Sequence, residues 1–156
     1  MNITFLLLPK NEIVYLPCNA TMRQALEKME HHHYRAIPLI NEAGKYAGTI
    51  TEGDLLWELK NSCDLNLKDT ETIRLTAVPR QNDYTPVKIT AKLDELLPLA
   101  LNQSFVPVID DYEVFIGIIR PREIITWYTN LLFNTKIIPK DHHGVFYLFQ
   151  EKFQYK

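Results

Sequence analysis

The chain has 156 residues, 46% of them hydrophobic and 23% charged, with 17 Lys and Arg against 19 Asp and Glu. This composition excludes a disordered or fibrous chain, and the formal charge of −2 excludes the dense basic field on which direct nucleic-acid binding depends. A chain of this length makes one ordinary domain or two very small ones sharing a core, and buries roughly two-thirds of its unfolded surface without a disulfide or metal.

Taken from the start, Ile3 to Leu8 is a short apolar run followed by Lys10. It reads as a strand, being too short for a membrane span and lacking the small-residue cleavage site of a signal peptide. Cys18 and Cys63 are far apart and form no CxxC pair, which predicts free thiols in a reducing cytoplasm. After a strand at 13–17, Thr21 and Gln24 have the spacing of a capping box. Met22, Ala25, Leu26 and Met29 then recur on one helical face, predicting a helix over 21–32. Strands follow at 35–40 and 46–51, and a helix at 52–61.

Residues 62–85 form a polar linker with little periodicity beyond Ile73, Leu75 and Val78, and then the pattern starts again. Strands are expected at 86–90, 105–109 and 114–120, and helices at 92–103 and 121–133. RAIPLINEAGKYAGTITEGD (35–54) aligns with SFVPVIDDYEVFIGIIRPRE (104–123), placing Pro38 on Pro107 and Gly48 on Gly117, both at a spacing of 69. Leu93, Leu96, Leu97 and Ala100 repeat the first helical face at a spacing of 71, so the second copy is two residues shorter before its proline strand. Pro98 falls inside that helix, where it removes a hydrogen bond. Units of this size are marginal alone, so the two are expected to pack together about a pseudo-two-fold axis. The expected organisation is an N-terminal segment with the first repeat (1–61), linker (62–85), second repeat (86–133) and an aromatic tail (134–156).

An Ala-Leu-x-x-Met helix, an apolar-Pro-apolar-Ile strand, a turn and then Gly-x-Ile-Thr-x-x-Asp-Leu-Leu stand in order across the first unit. The second unit carries the same order with altered closing residues. Together they resemble CBS-domain pairs, or Bateman modules, and especially small stand-alone bacterial ones. The resemblance implies an α/β (α+β) fold of two β-α-β-β-α repeats and a non-enzymatic cytoplasmic regulator without an obligatory cofactor. It also implies an adenine-containing nucleotide such as AMP, ADP or ATP between the repeats, a homodimer, and an unidentified regulated protein. Cyclic di-AMP or S-adenosylmethionine are alternative ligands, and a dimerisation module with decayed sites is an alternative role. A transcriptional role would need a partner chain to bring the DNA-binding part.

In the first unit Thr51 precedes a helix, where its hydroxyl and the free N–H groups beyond suit a phosphate. Asp54 lies one turn on, and its acceptor-only carboxylate suits the two hydroxyls of a ribose. Ala36, Ile37 and Pro38 would wall the base. Spacing alone favours a helix cap with no ligand, and the double repeat with the family resemblance favours the ligand. In the second unit Arg120 and Glu123 replace Thr51 and Asp54, with Phe105, Val106 and Pro107 as the wall. Arg120 can fork onto a phosphate, or the two side chains can simply pair with each other. Leu55, Leu56 and Leu59, with Ile124, Ile125 and Tyr128, are the faces expected to bury in a dimer, and the tail after Asn134 is expected to pack on that dimer.

His31, His32 and His33 point in different directions on a helix and have no Asp or Cys at ligand spacing, so no metal site is assigned. His142 and His143 are treated alike. The aromatic residues between Trp127 and Tyr155 read as core or dimer contacts. No GxGxxG, Walker, GxSxG or HExxH sequence occurs, and no catalytic residue is assigned.

Overall fold

The computed structural model describes residues 3–62 and 66–133, together with the backbone of Lys136–Ile138 and Tyr147–Phe149. Two short strands, β1 (Leu8–Pro9) and β2 (Leu16–Pro17), precede α1 (Met22–His32), β3 (Ala36–Ile40), β4 (Tyr46–Thr51) and α2 (Glu52–Asn61). The second half continues with β5 (Val87–Lys88), α3 (Leu93–Asn102), β6 (Val106–Ile109), β7 (Phe115–Ile119) and α4 (Pro121–Phe133). The fold is mixed α+β, with the order strand, helix, strand, strand, helix occurring twice. The tail backbone forms an antiparallel hairpin of β8 (Lys136–Ile138) and β9 (Tyr147–Phe149). The expected packing of its aromatic side chains lies outside the described residues.

Local chemistry sets the element ends. The Thr21 side chain accepts from the Gln24 N–H while Gln24 Oε1 accepts from the Thr21 N–H at 2.9 Å, a complete capping box that starts α1. His33 closes the helix in the left-handed region at φ 54°, where its N–H satisfies carbonyls of the last turn. α3 begins with Glu95 accepting from the Lys92 N–H at 2.8 Å and runs through Pro98 to Asn102. The helix survives the proline because its one lost bond would reach the first turn, at Asp94.

The two halves repeat in register as well as in sequence. β2 runs parallel to β3 and β5 parallel to β6, while β3–β4 and β6–β7 are antiparallel. Each antiparallel pair has a register shift at the same place, between Leu39 and Ile40 and between Val108 and Ile109. Asn41 and Asp110 close the two hairpin turns by accepting backbone N–H groups at 2.9 Å. The turns also meet across the halves: Phe115 N–H donates to Gly44 O at 2.9 Å, and Lys45 Nζ lies 2.7 Å from Glu113 Oε2.

The connecting segments cross over. Residues 3–9 leave the first sheet and add β1 to the edge of β7, giving the order β1-β7-β6-β5. Ile3 and Leu6 are buried in the core of the second half. The linker does the reverse: Leu75 and Val78 are buried in the core of the first half with Met22, Ile37 and Leu55. Its backbone is tied there by Met22 N–H to Ile73 O and Leu75 N–H to Ala20 O. A third cluster joins the halves, built on Ala36, Ile40, Tyr84, Phe105, Phe115 and Ile118.

Gly117 is where β1 approaches most closely, since an added Cβ would collide with the Leu8 carbonyl and the Leu7 side chain. Two backbone segments would have to part. Gly117→Ala is therefore expected to cost about 1–3 kcal/mol, the range for overpacking a filled site. Urea unfolding measures this, and a loss below the error of the fit would mean that β1 is not held against β7.

Candidate functional site

Strand alternation sorts the expected site residues into two groups. Within β3, Ala36 and Pro38 face the junction between the halves, whereas Ile37 points into the first core and is fully buried. Phe105 faces the same junction, while Val106 is fully buried in the second core. Pro107 does not line the cavity described next.

That cavity has a volume of about 690 Å³ and is built from both halves. Leu6, Leu7, Leu8, Ile13 and Val14 of the N-terminal segment line it together with Pro38, Phe105 and Ile118, the last being the register partner of Leu8 across β1 and β7. At its polar end stand Arg35, just before β3, and Arg120, Arg122 and Glu123 at the start of α4. Pro121 at the first helical position has no N–H to leave unsatisfied. Glu123 Oε1 accepts from Arg120 Nε at 3.1 Å and lies 3.9 Å from Arg122 Nε. Arg35 makes no side-chain hydrogen bond or ion pair among the described residues. With Glu12 as the other lining carboxylate, the arginines outnumber the acids before His33 is counted. The cavity thus joins an apolar slot to a cationic end, and a guanidinium fork suits a phosphate. Of the ten expected residues, Phe105, Arg120 and Glu123 line it as one group, and Ala36 and Pro38, expected beside Thr51 and Asp54, line it with them instead. The N-terminal wall and Arg35 were not among them. Their signal was the apolar run ahead of Lys10 and a cation directly before the proline strand.

Thr51 and Asp54 lie elsewhere, and the structure places them in a closed network. Asp54 is 1% exposed. Its Oδ2 accepts from the Thr51 N–H at 2.8 Å and from the Thr51 hydroxyl at 2.7 Å, and its Oδ1 accepts from the Gln81 N–H at 2.8 Å. Thr51 Oγ1 in turn accepts from the Asp54 N–H at 3.2 Å, completing the N-terminal cap of α2. Beside this network, Arg80 Nη1 donates to Ala47 O at 3.0 Å and its guanidinium packs on Gly48. A second cavity of about 430 Å³ opens there, lined by Cys18, Leu39, Leu75, Val78, Arg80 and Asp83 among others. Gly48 sits at φ 124°, which glycine alone adopts readily.

Close by, the Tyr46 hydroxyl contacts Thr49 Oγ1 at 2.8 Å and donates to Tyr84 O at 3.3 Å. Burial pushes the Tyr46 hydroxyl up to about 12, so it remains a neutral donor at any physiological pH. Among the described residues no group of His, Cys, Asp and Glu could hold a metal ion, and no helix is long and apolar enough to cross a membrane.

Known proteins give this arrangement its context. The chain is 28% identical over 107 residues to the L-aspartate semialdehyde sulfurtransferase of Methanocaldococcus jannaschii, covering 68% of this chain but only 19% of that protein. Among solved structures, a conserved hypothetical protein of Geobacillus kaustophilus superposes with a TM-score of 0.76 at 22% identity, over 85% of this chain and 98% of that one. Listeria monocytogenes CbpB in complex with c-di-AMP gives 0.71 at 17% identity, over 82% and 95% of the two chains. CBSX2 in complex with AMP gives 0.68 at 17%, over 83% and 97%. The family model of the CBS domain matches residues 7–61 and again 78–130, one match to each structural repeat. This chain belongs to the CBS-domain family.

Proposed function

We propose that the chain is a non-enzymatic regulatory module that binds an adenine-containing nucleotide in the 690 Å³ cavity and signals its presence to a partner protein. The observation that carries this reading is the cavity itself, whose lining combines apolar side chains with Arg35, Arg120 and Arg122. In it Phe105 and Pro38 face the base, and the arginines with the N-terminus of α4 take the phosphate. Support comes from the AMP and c-di-AMP complexes of the structural neighbours. A cytoplasmic location goes with this reading, since nucleotides of this class are made there. A homodimer fits the exposed apolar side chains of α2 and α4, where Leu56 is 58% and Ile125 64% exposed, while Leu55 and Ile124, expected on the same faces, are buried in the chain's own cores.

Thermal unfolding with AMP, ADP, ATP, S-adenosylmethionine and cyclic di-AMP tests the proposal. A ligand at a hundred times its dissociation constant stabilises the fold by about 2.7 kcal/mol, a visible shift. Arg120→Ala should weaken the ligand so found by about 1.5–3 kcal/mol, roughly tenfold to a hundredfold in affinity. Midpoints unmoved by all five compounds would defeat the nucleotide reading. They would favour a dimerisation module with decayed sites, for which the mutual pairing of Arg120 and Glu123 speaks.

A further inference from the structure

The repeat relates two clefts, but it does not make them alike. Val14 on the wall of the open cavity corresponds, at a spacing of 70, to Tyr84 in the linker. Tyr84 is only 8% exposed and belongs to the cluster that joins the halves, together with Ala36. Its ring meets that of Phe105 at 5.3 Å between centroids, and its hydroxyl donates to Ser104 Oγ at 3.0 Å and accepts from the Ser104 N–H at 3.2 Å. Three residues earlier the Gln81 N–H occupies Asp54 Oδ1, and one residue before that the Arg80 guanidinium covers Gly48. An aromatic ring, a hydrogen-bond donor and a cation thus follow one another along the Thr51–Asp54 side of the junction.

We propose that residues 79–84 are a strap that closes the first cleft from within, Arg80, Gln81 and Tyr84 filling the places a ligand would otherwise take. The first cleft keeps a cap and carboxylate suited to a nucleotide, yet the chain's own linker satisfies them. The open cavity therefore takes one ligand per chain, and the closed cleft takes a second only when the strap lifts. Few bonds hold the strap at its leading end. The Arg80 side chain is 34% exposed, and its one ion pair, to Asp83, spans 3.9 Å at the surface. A segment held in this way opens locally without unfolding the core. Its trailing end is coupled to the other site, because Ser104 and Phe105, which hold Tyr84, also line the open cavity. A ligand pressing on that shared wall bears directly on the strap.

Amide hydrogen exchange at Gln81, measured on the full chain, tests the strap without any ligand. The Gln81 N–H should be protected in the unmodified protein and exchange about tenfold faster or more in Arg80→Ala, with the exchange of α1 and α2 unchanged. Calorimetric titration with AMP then counts sites: one equivalent for the unmodified chain and a second, weaker one for Arg80→Ala. This count rests on the nucleotide reading of the open cavity, whereas the exchange measurement does not. Exchange of Gln81 as fast in the unmodified protein as in Arg80→Ala would overturn the strap. So would two equivalents of AMP bound to the unmodified chain. Protected Gln81 with no AMP bound by either protein would uphold the strap and remove the nucleotide reading alone. If Arg80→Ala unfolds instead, Tyr84→Phe provides the same comparison, since it keeps the ring and deletes only the bonds to Ser104.

Discussion

Replacing Phe115 by alanine is expected to cost about 3–5 kcal/mol, the largest loss of any single change considered for this chain. Phe115 is 1% exposed and opens β7, where its ring stacks on Tyr46 at 6.1 Å. Its backbone N–H simultaneously binds the Gly44 carbonyl of the opposite turn. The side chain is thus central to the cluster between the halves, and neither half can collapse into the space it leaves without losing contact with the other. Such a loss is a large part of the about 5–15 kcal/mol that holds a domain folded. Urea unfolding followed by both tryptophan fluorescence and circular dichroism would measure it. A cost below about 1 kcal/mol would show that the halves do not depend on this contact, since a cavity that size does not heal so cheaply in a packed core.

Asp54→Ala is expected to destabilise the protein by about 2–4 kcal/mol even with no ligand present. The carboxylate is buried and accepts three hydrogen bonds, and its removal orphans the N–H groups of Thr51 and Gln81, each costing roughly 1–3 kcal/mol if left unpaired. Water entering the space would offset part of this. Thr51→Val should cost less, about 0.5–2 kcal/mol, because it deletes a cap hydroxyl and leaves the carboxylate its two backbone donors. The sequence reading gave Thr51 a phosphate and Asp54 the ribose hydroxyls, whereas the closed network gives both a structural part and Asp54 the larger one. Thermal and urea unfolding of the two variants without ligand decide between these. Asp54→Ala as stable as the unmodified protein would show that the Gln81 contact contributes nothing.

That reversal shows what a linear reading can and cannot see. The cap linking Thr51 to Asp54 is local, three residues apart, and was legible. So were the starts of α1 and α4, through Thr21 with Gln24 and through Pro121, whereas Ile3 to Leu8 and residues 13–17, expected as strands, are strand only at Leu8 and at Leu16–Pro17. Gln81 reaches Asp54 across 27 residues of a segment with no periodicity, so nothing local announces the contact. Tyr84 was likewise read as linker. Extending the repeat upstream would have helped: Leu6 with Leu75, Pro9 with Pro79 and Val14 with Tyr84 stand at spacings of 69, 70 and 70. Those pairs mark segments 3–14 and 73–84 as counterparts, one adding a strand to its sheet and the other closing a cleft. The cavity was half legible for a related reason. Phe105, Arg120 and Glu123 come from the second repeat's own motif, but Ala36 and Pro38 reach it through the packing of the two halves and the leucines of residues 6–8 through the crossover.

The crossover also sets a timetable for the chain as it leaves the ribosome. The first half completes its core only once Leu75 and Val78 have emerged, well after its last helix has been made. Ile3 and Leu6 wait much longer, since the surfaces that bury them, Ile119 and Ile124, are among the last parts of the fold to be synthesised. Throughout that interval the earliest residues present an apolar face and a strand edge with no mate. Residues 3–9 therefore stay apolar and unpaired until the second repeat has been made. Any change that delays the making or packing of α4 would prolong that exposure.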